Sequence, residues 1–110
     1  MCDRVFATYI LASASRRALY VGVTGHLPRR LLEHRLCRDP RSFTSRYRVT
    51  RLVWYEFYGD ASLAIAREKQ IKAGSRERKL RLIDRRNPGW RDLSDEVLPP
   101  GRLGDGDRDA

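Results

Sequence analysis

The chain has 110 residues, of which 41% are apolar and 34% are charged. This length predicts a single domain with one hydrophobic core. Lysine and arginine outnumber aspartate and glutamate by 23 to 14, so the formal net charge is +9. Such a charge favours a polyanionic partner, above all nucleic acid, although an arginine-rich composition can also reflect a GC-rich genome.

The cysteines and the apolar segments restrict the class of protein further. Cys2 and Cys37 are the only cysteines, and their spacing matches neither a metal site nor a disulfide framework, which predicts reduced thiols. No apolar stretch approaches the roughly 20 residues of a membrane span, and the N-terminus lacks the apolar run of a signal peptide. We therefore expect a soluble cytoplasmic protein without a membrane partner.

The first part of the chain predicts a β-hairpin followed by a helix. Residues 6–12 and 18–24 are β-prone and flank a polar turn that lacks glycine, so the sequence does not fix the hairpin register. His26 is interpreted as a loop residue, and Pro28 suits the first turn of a helix over 27–35. The side chains predicted to face inward on this helix are Leu27, Leu31 and Leu32.

The second part predicts one strand and two helices. Residues 36–48 form an arginine-rich loop, and residues 51–58 are the clearest strand. Two helices follow, over 61–73 and from 75 to about 86, before an Asn-Pro-Gly stop. Their predicted cap residues are Asp60 and Ser75 at the N-termini and Gly74 at the C′ position between them.

The composition changes after residue 98, where proline, glycine and alternating charges leave nothing to bury. We therefore assign residues 1–98 to one domain and residues 99–110 to a disordered tail. The order strand, strand, helix, strand, helix, helix predicts an α+β fold, with a small, mainly antiparallel three-stranded sheet flanked by helices.

One carboxylate interrupts the apolar face of the helix over 61–73. Glu68 falls in the middle of that face at about 100° per residue, and a carboxylate aimed into a sheet is costly unless it is paired or binds a cation. Two interpretations remain open, a metal ligand and an ion pair with one of the many arginines. The apolar residues around it are Ala61, Ala64, Ile65 and Ile71.

Arg30 and His34 are four residues apart, which places them on one face of the helix over 27–35. A guanidinium can contact a phosphate through two hydrogen bonds, and a neutral imidazole can move a proton near neutral pH. The pair would suit phosphodiester cleavage, and a solvated helix face is the alternative. The neighbouring charged residues are interpreted as solvated only: Arg29, Glu33 and Arg35.

Four short motifs follow one another in a recognisable order. Thr8-Tyr9-Ile10 and, after a gap, Tyr20-Val21-Gly22 resemble the two halves of the GIY-YIG motif of the GIY-YIG endonuclease superfamily. Residues 27–35 resemble the family's helix with an arginine followed four residues later by histidine or tyrosine. Residues 66–72 resemble its later glutamate-bearing helix, and residues 87–93 resemble the closing motif of small stand-alone bacterial members.

The resemblance implies a hydrolase that cuts DNA with the help of a metal. It implies that Tyr20 helps to activate the attacking water, with support from Tyr9, and that Arg30 holds the scissile phosphate and stabilises its transition state. A phenol stays protonated near pH 7 unless a cation lies beside it, so Arg30 or the metal would have to supply that cation.

The same resemblance assigns the remaining site residues. It implies that Glu68 anchors a single divalent cation, Mg²⁺ or Mn²⁺, that His34 assists by hydrogen bonding or proton transfer, and that Asn87 closes the site. No other cofactor is expected. Nucleic-acid contacts are further expected from an arginine-rich part of the loop, namely Arg41, Arg46, Tyr47 and Arg48.

Two positions depart from the family pattern. Thr8 replaces the first glycine of the motif, which would alter strand geometry slightly. Val23 replaces a lysine common in repair members, which removes one cation that could activate the base.

The sequence therefore predicts a metal-dependent DNA endonuclease, acting in repair or recombination on structured or single-stranded DNA, as a monomer or weak homodimer. The first alternative is a non-catalytic nucleic-acid-binding module of the same fold, which is favoured by the expectation that residues 1–98 are one domain without a separate specificity domain. The second is a protein-interaction domain whose charge reflects genome composition, and a flat salt dependence of DNA binding would support it.

Overall fold

The computed structural model describes residues 5–36, residue 41 and residues 46–98. Three antiparallel strands form one sheet in the order β2-β1-β3. The strands are β1 (Phe6–Ala12), β2 (Leu19–Thr24) and β3 (Arg51–Tyr58). The helices are α1 (Leu27–Arg35), α2 (Ala61–Ala73), α3 (Arg76–Arg86) and the short α4 (Ser94–Val97). The predicted α+β fold with an antiparallel three-stranded sheet is confirmed.

Side-chain alternation along the central strand β1 divides the core between the two faces of the sheet. Tyr9 and Leu11 point to the side covered by α1, where they pack with Leu27 and Leu31. We call this side the α1 face. Ile10 points to the opposite side, called here the α2 face, where the buried residues of α2 and α3 complete the core. Those helix residues are Ile71 and Ile83.

A polar contact fixes α2 against the central strand. The hydroxyl of Thr8, which is 0% exposed, donates a hydrogen bond of 2.7 Å to the carbonyl oxygen of Ala64. Ala64 is also fully buried, so the helix backbone lies directly against β1. The hydroxyl that replaces the family's glycine is therefore used to hold the α2 helix.

Ser13 closes the hairpin in place of a glycine. Its backbone N–H donates to the carbonyl of Ala18 at 3.0 Å, and its side-chain oxygen accepts from the N–H of Ala18 at 3.2 Å. Arg16 takes the left-handed backbone conformation, with φ of 67°, that glycine would ordinarily supply. These contacts determine the register, which pairs Ala12 with Leu19.

Residues beyond α3 cover the outer edge of β3. The Asp92 carboxylate accepts from the N–H of Leu52 at 3.2 Å, and the N–H of Leu93 donates to the carbonyl of Leu52 at 2.7 Å. The Asn87 side chain donates to the carbonyl of Val53 at 3.2 Å. Because an uncovered edge strand offers unpaired groups to other chains, this closure protects the sheet.

Several local predictions can be compared with the structure. The N-caps Asp60 and Ser75 are confirmed, since each side chain accepts a backbone N–H of the helix that it precedes. His26 is a loop residue, as expected, and it has a further role, because its Nδ1 accepts from the Arg29 N–H at 3.2 Å and caps α1. Gly74 has an extended backbone with φ of −78°, so it is not a left-handed C′ residue.

Two residues expected to face inward lie on the surface instead. Leu32 is 38% exposed and Ile65 is 40% exposed. Helices α1 and α2 therefore contact the sheet through a narrower stripe of residues than the positions of their apolar residues predict. In the described part of the chain, no helix is both long and apolar enough to cross a membrane. Cys2, Cys37 and residues 99–110 lie outside the described residues, so the predictions made for them stay predictions.

Candidate active site

The hairpin brings two tyrosines together on the α1 face. Tyr9 on β1 pairs across the strands with Gly22, and Tyr20 on β2 pairs with Leu11. The two tyrosines are therefore diagonal neighbours, and their ring centroids are 6.2 Å apart. Tyr9 is 1% exposed, whereas Tyr20 is only partly buried.

Gly22 provides the space in which the Tyr9 phenol lies. A Cβ atom at residue 22 would lie 2.6 Å from the Tyr9 hydroxyl oxygen and 2.9 Å from Cε2 of Tyr20. Both contacts are far shorter than van der Waals separation, so any side chain at this position would displace the tyrosines. The glycine of the second half-motif is thus required by packing across the hairpin.

Helix α1 contributes a histidine and an arginine to the same place. Its buried residues Leu27 and Leu31 seat it on the sheet, and His34, one turn further along, is also buried. Nε2 of His34 lies 3.2 Å from the Tyr9 hydroxyl oxygen. The His34 ring lies 5.5 Å from the Tyr20 ring, in an edge-on arrangement. The predicted helical spacing therefore does bring His34 to the tyrosines.

Arg30 lies between the phenols and an acidic residue. Its guanidinium lies close enough to the hydroxyls of Tyr9 and Tyr20 to interact with them, and its Nη1 donates to Oε1 of Glu33 at 2.8 Å. Its side chain is 41% exposed, so a ligand could reach it from solvent. The prediction that Glu33 is only solvated is wrong, because its carboxylate is ion-paired with Arg30. The spacing of three residues from Arg30 was the sequence signal for the pair.

These neighbours set the protonation states of the cluster. Burial, followed by the positive charge of Arg30, lowers the pKa of His34 to about 4, so the imidazole is neutral near pH 7. Burial raises the pKa of Tyr9 to about 12, against the opposing effect of its hydrogen bond with Arg30. Partial burial favours a lower pKa for Arg30, but Glu33 and the phenols outweigh it and raise that pKa, which keeps Arg30 cationic.

The predicted metal ligand lies on a different element from this cluster. Glu68 belongs to α2, which packs on the α2 face, and its side chain is 15% exposed. Its Oε2 forms an ion pair of 2.9 Å with Nζ of Lys72, one turn further along α2. Of the two interpretations of Glu68, the structure thus shows the ion pair, but the partner is a lysine rather than an arginine.

The donor set can still hold a divalent cation in one specific way. Within the described segments, no three His, Cys, Asp or Glu side chains gather into a metal-binding group. Mg²⁺, however, commonly binds one or two carboxylates and fills its remaining positions with waters and substrate phosphate oxygens. Glu68 fits such a single anchor if the cation takes the place of the Lys72 ammonium.

The other predicted binding residues are one buried asparagine and four exposed residues that precede β3. Both amide hydrogens of Asn87 are donated to backbone carbonyls, at 3.2 Å to Val53 and at 2.9 Å to Arg91, so its observed contacts are structural. Tyr47 is 52% exposed, and the Arg46 guanidinium lies 5.8 Å from the centroid of its ring. The described residues of the predicted arginine-rich contact region are all exposed: Arg41, Arg46, Tyr47 and Arg48.

The arrangement of the two half-motifs and the helix that follows them agrees with a comparison of the sequence with protein families. The model of the GIY-YIG catalytic domain matches residues 5–81. The chain belongs to the GIY-YIG family. The matched range contains the two tyrosines, Arg30, His34 and Glu68.

Individual relatives support the membership. A UPF0213 protein of Syntrophus aciditrophicus is 39% identical over 80 residues, which cover 73% of this chain and 90% of the relative. A UPF0213 protein of Yersinia pestis is 31% identical over 83 residues, which cover 76% of this chain and 85% of the relative. The chain is thus similar in length and sequence to small stand-alone GIY-YIG proteins.

A solved structure shares the fold. The solution NMR structure of a UPF0213 protein from Bacillus halodurans aligns with a TM-score of 0.53 and 21% sequence identity, over 86% of this chain and 99% of that one. At this identity the likeness concerns the fold alone. It agrees with a three-stranded antiparallel sheet flanked by helices.

Proposed function

We propose that this GIY-YIG protein is a metal-dependent endonuclease that hydrolyses phosphodiester bonds in DNA. The observation that carries the proposal is the meeting of Tyr9, Tyr20, Arg30 and His34 at one place on the α1 face. Hydrolysis of a phosphodiester needs activation of water and stabilisation of the charge that develops on the phosphate. Phenols, an imidazole and a guanidinium are groups that supply these functions.

The burial of the two phenols favours different roles for them. Tyr9 is buried and its pKa is raised to about 12, so it stays protonated and serves as a fixed hydrogen-bonding group. Tyr20 is partly exposed and lies beside Arg30, so it is the phenol that can meet a water molecule from solvent. We therefore assign water activation to Tyr20 and its positioning to Tyr9 and His34.

Arg30 has the position and the charge of a phosphate-binding residue. A phosphate oxygen that approaches the cluster competes with Glu33 for the guanidinium, and it can accept two hydrogen bonds from it. Glu68 would hold the divalent cation, which supplies Lewis-acid stabilisation of phosphate charge when it is bound. The five residues of the proposed site are Tyr9, Tyr20, Arg30, His34 and Glu68.

Nicking of supercoiled plasmid by purified protein, with Mg²⁺ or Mn²⁺ present, tests the proposal. We expect nicked circles that disappear with EDTA and in the variants Tyr20→Phe, Arg30→Ala and Glu68→Ala. Lys69→Ala, which changes an exposed residue of α2 next to Glu68, is the matched control and should retain activity. Equal nicking by the Arg30→Ala variant would contradict the assigned site.

One observation favours the alternative of a non-catalytic nucleic-acid-binding module. The Glu68 carboxylate is already neutralised by Lys72 at 2.9 Å, so it does not require a cation for its charge to be compensated. Absence of cleavage on plasmid, branched and single-stranded DNA, together with salt-sensitive binding, would select the binding module. Isothermal titration with Mn²⁺ separates the two, since Glu68→Ala abolishes metal binding only if Glu68 anchors the ion.

A further inference from the structure

A groove of about 460 Å³ lies between α2 and α3. Ile71 of α2 and Leu82 of α3 supply its apolar surface. The charged residues that line it are all cationic: Arg67, Arg78, Lys79, Arg81 and Arg85. A groove with five cations and no acidic lining residue attracts anions, and the arrangement of these cations indicates which kind.

Three of the arginines form a continuous stripe along α3. Arg78, Arg81 and Arg85 are spaced by three and four residues, which places them on one side of the helix. All three are exposed, and none makes an ion pair with another described residue. Their guanidinium groups are therefore available to a ligand.

The two remaining cations are held by the protein itself. Arg67 donates to Glu56 at 3.2 Å and to Gln70 at 2.6 Å, and Lys79 donates to the carbonyl of Gly74 at 2.8 Å. They add positive charge to the groove but are not free to wrap a ligand. The arginine stripe is therefore the surface that would contact the ligand. Arg67 and Lys79 only add to the positive electrostatic potential of the groove.

The groove lies on the opposite side of the sheet from the tyrosine cluster. Ile71 and Leu82 belong to or pack against the core of the α2 face, whereas Tyr9, Tyr20 and α1 belong to the α1 face. Glu68, the proposed metal anchor, lies on the same helix as Arg67 and Gln70 but does not line the groove. The groove is therefore distinct from the tyrosine cluster, although α2 carries residues of both proposed sites.

The spacing of the stripe suits a polymer of phosphates. At a rise of 1.5 Å per residue, Arg78 and Arg85 are about 10 Å apart along the helix axis. A nucleic-acid strand presents a charge about every 3.4 Å of duplex axis, so the stripe can meet several phosphates in succession. The apolar surface from Ile71 and Leu82 suits the sugars and bases of an extended strand, which an isolated hydrated anion would not use.

We propose that the groove between α2 and α3 binds the phosphodiester backbone of a second segment of nucleic acid, apart from the segment held at the tyrosine cluster. The choice of nucleic acid as the occupant rests on the proposed function and on the charge of the groove. Two binding surfaces on opposite faces of the sheet would let one molecule hold two arms or two strands of a branched or unpaired substrate.

The test compares two pairs of charge-removing substitutions in the full chain. Arg81→Gln with Arg85→Gln removes two positive charges from the groove. Arg17→Gln with Lys69→Gln removes two exposed positive charges elsewhere and is the matched control. Circular dichroism and the thermal unfolding midpoint establish that both pairs fold as the unchanged protein does.

Binding of a labelled 30-nucleotide single strand is measured in EDTA over a range of salt concentrations, so that cleavage plays no part. We expect the groove pair to bind on the order of tenfold more weakly, with a salt slope smaller by about 1.4, because each lost phosphate contact removes about 0.7. The control pair should stay within about twofold of the unchanged protein. Equal effects of the two pairs would overturn the proposal.

Two further measurements keep the outcomes distinct. Vesicles of phosphatidylserine and phosphatidylcholine test a lipid surface, and a groove pair that loses vesicle binding but keeps DNA binding contradicts the nucleic-acid assignment. Plasmid nicking separates the two proposals. If the protein never cleaves but the groove pair binds DNA more weakly, the groove proposal holds and the nuclease proposal fails. If the protein cleaves but the groove pair binds DNA normally, the nuclease proposal holds and the groove proposal fails.

Discussion

The space around Tyr9 depends on the missing side chain of Gly22. Gly22→Ala places a methyl group 2.6 Å from the Tyr9 hydroxyl oxygen, so the phenol must move. We expect a loss of about 1–3 kcal/mol in the free energy of unfolding, as for other overpacked cores, and loss of any DNA cleavage. Urea unfolding and plasmid nicking measure the two effects.

Gly59 offers the matched control for that substitution. A Cβ atom there meets nothing within 4 Å, so Gly59→Ala should leave stability and cleavage unchanged. If both alanine variants behaved alike, the packing argument for Gly22 would fail.

His34 makes the stability of the protein sensitive to mild acid. Its pKa is about 4 in the folded protein and near 6.5 in the unfolded chain, so the unfolded chain binds the proton more readily. The contribution is fully present above pH 6.5 and is lost as the pH falls towards 4. We expect a loss on the order of 1 to 2 kcal/mol, reduced from the full shift by solvent screening.

Urea unfolding of the unchanged protein and of His34→Gln between pH 7 and pH 4 measures this effect. The unchanged protein should lose more stability over this range than the variant, because glutamine does not titrate. Parallel pH profiles for the two proteins would show that His34 is not the titrating group.

At the scale of the elements, the hydroxyl of Thr8 joins the central strand to α2. Thr8→Val keeps the shape of the side chain but removes the hydrogen bond of 2.7 Å to the carbonyl of Ala64. The buried carbonyl then lacks that donor, and we expect a loss of about 1–2 kcal/mol in the free energy of unfolding. Thermal or urea unfolding measures it, and an unchanged midpoint would contradict the role given to this hydroxyl.

The sequence predicted the elements and the main cluster because both depend on local spacing. Arg30 and His34 meet the tyrosines because a four-residue interval on a helix and a two-strand hairpin fix directions within short stretches. The edge closure by Asp92 was not predictable, since it joins residues 40 positions apart through side-chain-to-backbone bonds. Glu68 was predicted only in part. Its place on the apolar face of the helix indicated that its charge must be compensated, but it did not identify Lys72 as the partner.

At the scale of the whole molecule, Asp92 links three parts of the chain. Its carboxylate accepts from the N–H groups of Leu52 and Ser94, and it forms an ion pair of 2.6 Å with Arg35 at the end of α1. Asp92→Ala should therefore cost about 1–3 kcal/mol, chiefly because the N–H of Leu52 loses its acceptor, while the partly exposed ion pair with Arg35 adds little.

Exposure of the β3 edge should also increase self-association of this variant, which light scattering measures. Asp95→Ala, at an exposed position three residues further along, is the control and should change neither property. A variant at Asp92 that unfolds and scatters like the control would argue against the closure.

The closure of the β3 edge by residues 87–93 also makes folding depend on the order in which the chain emerges from the ribosome. Residues 6–58, which contain all three strands, leave the ribosome before the residues that cover the β3 edge have emerged. During that interval the nascent chain exposes an unpaired strand edge. Such an edge binds chaperones and promotes contacts between neighbouring nascent chains. Any delay while the edge-covering residues are still inside the ribosome would lengthen this vulnerable interval and would lower the yield of folded protein.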